Sequence, residues 1–147
     1  MGKIYTAMGL MSGTSLDGVD VSIIESDGNR EYLSILDRYF EYDRELIRKI
    51  LKIRDKISNY KQLSNNVDLI NDLEREITLF HARAVETTLN ESKIKIDLIG
   101  FHGQTIFHDP NNKITKQLGD GNLLSQLTKK KVIYNFRQND LLNGGQG

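Results

Sequence analysis

The densest chemistry in the chain lies in one stretch, Ser12-Gly13-Thr14-Ser15-Leu16-Asp17-Gly18-Val19-Asp20, where hydroxyls, glycines and acids sit between two apolar runs. Gly13 and Gly18 allow a positive φ and let backbone N–H groups approach an anion closely. Ser12, Thr14 and Ser15 add short hydroxyl donors. Asp17 and Asp20 would repel a phosphate unless a cation lay between them, which points to Mg²⁺ held partly through water. The competing reading is a polar hairpin turn whose Ser, Thr and Asp satisfy only their own backbone. Spacing alone does not decide, because the stretch is neither Gly-x-x-x-x-Gly-Lys-Ser/Thr nor Gly-x-Gly-x-x-Gly.

A second cluster is His102-Gly103-Gln104-Thr105, directly after an apolar run at residues 94–101. A central strand ending in a polar loop presents side chains at its carboxyl edge, where open α/β sheets bind ligands. His102, Gln104 and Thr105 offer hydrogen bonds to a hydroxyl-rich small molecule; a loop with a capping histidine is the alternative. Gly119-Asp120-Gly121-Asn122 precedes a short apolar-periodic segment and makes a third anion- or hydroxyl-friendly surface at a helix start. Near the end, Arg137 could reach a phosphate or carboxylate, and Asp140 is an acid close to the same edge. His81 has no second metal-type ligand at helical spacing and reads as structural, while His108-Asp109-Pro110 reads as a turn.

The elements that must position these groups follow from periodicity. Residues 4–10, 19–25 and 31–40 read as three strands joined by short loops, an antiparallel meander. Asp43 then caps a helix in which Leu46, Ile47, Ile50, Leu51 and Ile57 recur at helical spacing. After an interruption at Ser58-Asn59, Leu63, Val67, Ile70, Leu73, Ile77, Phe80, Ala84 and Val85 predict a second, longer helix or bent continuation to about residue 90. Charges of both signs here, Glu74 and Glu76 among them, read as a solvated face. Residues 94–101 form a strand, 102–105 a loop, 115–118 a short strand, 123–127 a short helix and 132–136 a last strand. The expected fold is α/β, a ribonuclease-H-like (actin-like ATPase) lobe: a mixed sheet with a three-strand antiparallel meander followed by strands connected through helices.

Composition narrows the classes. The 147 residues fit one domain, and 20 basic against 20 acidic residues favour no polyanion partner. Lys129-Lys130-Lys131 at a helix end suits the macrodipole, so no nucleic-acid partner is expected. The absence of cysteine removes disulfides, thiolate metal sites and a cysteine nucleophile. No segment approaches the ~18 apolar residues of a membrane span, and the N-terminus does not read as a signal peptide, so the expectation is a cytoplasmic protein. The sequence finishes on Gly144-Gly145-Gln146-Gly147 with no closing element, which suggests a truncated domain.

Three motifs in the same order carry a family resemblance: Gly9 to Asp20, Gly100-Phe-His-Gly-Gln-Thr-Ile-Phe-His108, and Phe136-Arg137 leading to Asp140 and the final Gly-Gly-Gln-Gly. Together they resemble the N-terminal part of the anhydro-N-acetylmuramic acid kinase family, itself similar to sugar kinases of the actin-like ATPase superfamily. The resemblance implies an enzyme that uses ATP and Mg²⁺ to open the 1,6-anhydro ring of anhydro-N-acetylmuramic acid while phosphorylating O6. Water attacks the anomeric carbon, and N-acetylmuramic acid 6-phosphate is formed in cell-wall recycling. It further implies that Gly13, Thr14, Ser15, Leu16, Asp17, Gly18, Val19 and Asp20 meet ATP phosphates, with Asp17 and Asp20 near the metal. His102, Gly103, Gln104, Thr105, Arg137 and Asp140 fall on the sugar side. No catalytic base is expected in this chain: by the resemblance the base, a second phosphate loop and the adenosine pocket lie beyond Gly147, in a second lobe, and the full-length enzyme could be a homodimer. Asn135 stands where the family usually has Asp, and so lacks that charge. Two other readings remain open: an inactive relic or split half with weak phosphate or sugar binding, and a two-metal ribonuclease-H-like nuclease using Asp17, Asp20 and Asp140.

Overall fold

A computed structural model describes residues 2–147. The order is β1 (Tyr5–Ser12), β2 (Gly18–Ser26), β3 (Tyr32–Glu41), α1 (Arg44–Lys56), α2 (Lys61–Asn65), α3 (Val67–Ser92), β4 (Leu98–Asp109), β5 (Ile114–Leu118), α4 (Gly121–Thr128), β6 (Lys131–Tyr134) and α5 (Phe136–Leu142). The six strands form one mixed sheet in the order β3-β2-β1-β4-β5, with β6 also beside β4. The first three strands are the expected meander. β4 runs parallel to β1 and β6 and antiparallel to β5. One edge of β4 is shared, since residues 98–101 pair with β6 and residues 104–109 with β5.

Strand alternation puts Met8, Leu10, Val19, Val21, Ile23, Ile99 and Phe101 on one face, where all are buried. Against them α1 sets Leu46, Ile50 and Ile53, α3 sets Ile70, Leu73, Ile77 and Val85, and α4 sets Leu124. Asp43 caps α1 as expected, its Oδ1 accepting from the Leu46 amide at 2.8 Å, and Asp120 caps α4 through Leu123 N at 2.9 Å. The opposite sheet face carries Met11, Tyr39 and Ile133, each roughly half exposed.

Four expectations are corrected. The long second helix is divided at Asn66, whose side chain donates to Gln62 O and whose backbone leaves the helical region, leaving the short α2 and the 26-residue α3. Residues 94–97 are not strand: Lys93 ends α3 in the left-handed conformation, and Asp97 is tied to Thr6 through both its amide and its carboxylate. Residues 102–105 are not a loop but the middle of β4, because β5 folds back and pairs with the strand's second half. The last strand stops at Tyr134, where Asn135 takes φ +62 and starts α5 in a segment expected to be loop.

His81 on α3 is fully buried, as a structural histidine should be. Its Nδ1–H donates to Ile77 O at 2.7 Å, its ring tilts on Phe101, and Nε2 meets no protein donor. Burial lowers its pKa from the ordinary 6.5 to about 4. The neutral ring is therefore the native form, and its contribution to stability is complete above pH 6.5 and is lost as pH falls toward 4. The shift corresponds to about 3 kcal/mol of destabilisation. Denaturation midpoints measured between pH 7 and 4 should fall more steeply in the native sequence than in His81→Leu; equal slopes would remove His81 from the acid response.

Candidate functional site

Three carbonyls of the β1–β2 hairpin are held by protein donors. Gly13 O accepts from Gln104 Nε2 at 2.8 Å and from Leu16 N at 3.3 Å, Asp17 O accepts from Tyr42 N at 2.8 Å, and Gly18 O lies 2.9 Å from Ser12 Oγ. Among the described residues, the amides of Thr14 and Ser15 meet no protein acceptor, and both residues are exposed. Two unpaired amides in an exposed turn are available as donors to an anion.

The positive φ falls on Leu16, at +59°, and not on Gly13 or Gly18 as expected. The Leu16 side chain is buried in the core, and that anchorage offsets the ~1–2 kcal/mol of left-handed strain. Gly18 is required for space: a Cβ there would sit 2.3 Å from Phe40 O and 2.7 Å from the Tyr39 hydroxyl. At Gly13 the nearest atom to an added Cβ is Ser15 Oγ at 4.0 Å, so the fold does not demand glycine and the open side admits a ligand close to the backbone. Val19, expected among the phosphate contacts, is fully buried with its side chain in the core.

Ser15 Oγ donates to Asp17 Oδ1 at 2.5 Å, and this bond above all holds the Asp17 carboxyl below its ordinary range. Asp20 pairs across the sheet with Met11 on one side and Tyr39 on the other. The Tyr39 phenol is raised by desolvation and then by the charges of Asp17, Glu41 and Asp20. Mg²⁺ takes one or two carboxylates and completes its shell with water and phosphate oxygens, and Asp17 and Asp20, both exposed, supply that type of donor. Among the described residues there is no group of three or more Asp, Glu or His that could hold a metal ion. The nuclease reading needs Asp140 beside Asp17 and Asp20; instead Asp140 Oδ2 accepts from Gly147 N at 2.8 Å, and Asp140 O from Gly145 N.

A cavity of about 340 Å³ opens beside the carboxyl edge of the sheet, lined by His102, Gln117, Asp120, Tyr134 and Asn135 among others. That volume is at the lower end of small-molecule sites, roughly 300–1,000 Å³. His102 Nδ1–H donates to Gly103 O at 2.8 Å, leaving Nε2 as an acceptor. The Asn135 side chain makes no cap bond. Tyr134 lies against Gly121, where a Cβ would meet its ring at 2.2 Å. Glu74, expected on a solvated face, holds this wall: its Oε2 accepts from Gly119 N at 3.0 Å and from Lys116 Nζ at 2.8 Å. One turn on, Thr78 Oγ1 accepts from Asp120 N at 2.9 Å. Tyr134 and Gln117 had no signal of their own in the sequence; Gly119 and Asp120 marked the wall they stand beside.

The remaining expected sugar contacts separate. Gln104 is fully buried with both ends of its amide engaged, so it does not face the cavity. Gly103 is buried as well. Thr105 Oγ1 accepts from Arg137 Nη1 at 3.3 Å and from Gln117 Nε2 at 3.1 Å. Thr105 also lines a small recess of about 130 Å³ together with Thr14 and Arg54, next to the hairpin.

A mixed six-stranded sheet that opens with a three-strand antiparallel meander and carries a hydrogen-bonding cavity at its strand ends is an α/β lobe of the actin-like ATPase and sugar-kinase class. The chain belongs to the anhydro-N-acetylmuramic acid kinase family, whose model matches residues 5–147. It is 57% identical over 147 residues to the anhydro-N-acetylmuramic acid kinase of Pelagibacter ubique, covering 100% of this chain and 39% of that protein. It is 40% identical over 153 residues to the enzyme of the same name from Agrobacterium fabrum, covering 100% of this chain and 40% of that one. The chain thus spans about two fifths of the length of these relatives.

Proposed function

We propose that these residues form the N-terminal lobe of a two-lobed kinase that transfers the γ-phosphoryl group of ATP to O6 of anhydro-N-acetylmuramic acid as its 1,6-anhydro ring is opened. The observation that carries the reading is the hairpin: the Thr14 and Ser15 amides are free in an exposed turn while Gly13 O, Asp17 O and Gly18 O are held by protein donors. In the proposed reaction water bonds to C1, the C1–O6 bond breaks, and O6 takes the phosphoryl group from ATP, releasing ADP. The proton lost by water goes to a base, which we assign to the second lobe together with the adenosine contacts. Free amides at Thr14 and Ser15 would spread the charge of the transferring group, and the cavity around His102 and Asn135 would orient the sugar, making attack effectively intramolecular. Asp17 and Asp20 would hold Mg²⁺ partly through water. Bound there, Mg²⁺ would neutralise phosphate charge.

Among the described residues no helix is long and apolar enough to cross a membrane, and we place the enzyme in the cytoplasm, where ATP is available. Homodimerisation of the full-length enzyme belongs to the same proposal. The test is to incubate the full-length enzyme with ATP, Mg²⁺ and anhydro-N-acetylmuramic acid in ¹⁸O-water. The expected product is N-acetylmuramic acid 6-phosphate with ¹⁸O at C1. Label in phosphate, or no sugar phosphate, would defeat the proposal; an absent product with retained nucleotide binding would favour the relic reading.

A further inference from the structure

We infer that Gln104 is a positioning residue that sets the hairpin at residues 12–18 in register with the cavity wall, acting through Ser12 and Gly13 and touching no ligand. The inference deepens the proposed function, since it rests on reading the hairpin as the phosphate loop and the cavity as the sugar side. Gln104 is fully buried. Its Oε1 accepts from Ser12 Oγ at 2.5 Å, and its Nε2 donates to Gly13 O at 2.8 Å and to Thr105 O at 3.3 Å. One amide group therefore joins the last residue of β1, the first residue of the turn and the middle of β4.

The node continues beyond Gln104. Ser12 Oγ is also 2.9 Å from Gly18 O and 2.8 Å from the Tyr42 hydroxyl. A serine hydroxyl has one proton, and Gly18 O and Gln104 Oε1 both only accept, so the Tyr42 hydroxyl must donate to Ser12. Tyr42 is itself buried, with its ring edge-on to Phe80. Its backbone amide holds Asp17 O at 2.8 Å. Both ends of the hairpin are thus gripped from the β3–α1 link and from β4. Gly18 O and Gln104 Oε1 share the one Ser12 proton, and a buried polar network of this kind rigidifies what it joins.

On the β4 side the connection to the cavity is short. Gln104 follows His102 by two residues, and a β-bulge between them, with Gly103 at φ +76, turns Gln104 back to the face that holds Phe101. A shift of the wall that carries His102 is therefore transmitted to Ser12 and Gly13 through one hydrogen bond each. Removing the node should leave a sugar site that still binds and a phosphate loop that no longer holds its geometry.

The test compares Gln104→Met, which keeps length and removes the amide, with Tyr42→Phe, which removes a single oxygen at the same node. In the full-length enzyme kcat is expected to fall about 100-fold for Gln104→Met and about tenfold for Tyr42→Phe, with the KM for the amino sugar within about twofold of wild type. Amide hydrogen exchange at Leu16 and Tyr42, whose N–H groups are held by Gly13 O and Asp17 O in the loop, measured without ligands, should quicken at least about tenfold while residues 98–101 of β4 stay protected. Unchanged exchange in the loop, or unchanged kcat, would overturn the inference. Exchange that quickens across the whole sheet would also overturn it, by making Gln104 a general stabiliser. If Gln104→Met does not fold, Tyr42→Phe decides alone. If the wild-type enzyme phosphorylates no amino sugar, the kinase proposal fails while the exchange measurement still decides whether the node orders the hairpin.

Discussion

Gly13→Val in the full-length enzyme should lower turnover by about 10²–10³-fold, the usual cost of losing preorganised donors, while the melting temperature moves by less than about 2 °C. The two expectations are separable because of where the missing Cβ points. At Gly13 an added Cβ meets nothing nearer than Ser15 Oγ at 4.0 Å, and φ there is not positive. Valine is therefore tolerated by the fold but places methyl groups beside the Thr14 and Ser15 amides, where a phosphate would approach. Asp17→Ala should reduce turnover by a similar factor and raise the Mg²⁺ concentration needed for half-maximal rate, since Asp17 is exposed and held ionised by Ser15. Gly18→Ala supplies the contrast: its Cβ would strike Phe40 O at 2.3 Å, so it should lose stability and activity together. Kinetics in ATP and Mg²⁺ alongside thermal melts distinguish these outcomes. Unchanged nucleotide affinity and turnover in both Gly13→Val and Asp17→Ala would remove the hairpin from the mechanism.

Much of the fold was legible because local signals agreed with burial. The meander, the Asp43 cap, α1 and the short β5–α4 pair follow alternation, capping and helical spacing, and the structure has them within a few residues. What was hidden arises where tertiary partners reverse a local preference. His102-Gly103-Gln104-Thr105 has the composition of a loop, yet it lies within β4 because Ser12 and Gly13 satisfy the Gln104 amide and β5 pairs alongside. A single extra residue at the bulge also breaks the period of two that would have revealed the strand. α5 buries only Leu141, too little for an amphipathic stripe, so nothing in residues 136–142 announced a helix. At the site the same division holds. The chain reversal between β1 and β2 was readable from residue types, but Tyr134 falls within an apolar strand pattern, and its place on the cavity follows only from packing against Gly121. Glu74 was read as solvated because helical spacing cannot show that the Gly119 amide comes back to it.

The bulge also sets a large expected stability effect, at Gly103→Ala. Gly103 sits at φ +76, where an L-residue costs ~1–2 kcal/mol, and its Cβ would lie 2.3 Å from Leu118 O and 3.1 Å from Leu118 C. Backbone on β5 cannot swing aside as a flexible side chain would, because Leu118 is paired with Gln104 in the ladder and its own side chain is buried. The strain and the clash together should cost about 3 kcal/mol or more. For a chain of this size that is a fall in melting temperature of roughly 6–12 °C. Relief by deleting the bulge is closed off, since a one-residue slip would turn Gln104 out to solvent and set Gly103, which has no side chain, opposite Ser12. The variant should therefore lose the Gln104 bonds to Ser12 and Gly13 as well as stability, and its hairpin amides should exchange faster even well below its melting point. Gly103→Ala melting within about 2 °C of wild type, with hairpin exchange unchanged, would show that β4 and β5 can open at Leu118 without disturbing the phosphate loop, and would separate the bulge from the positioning of Gln104.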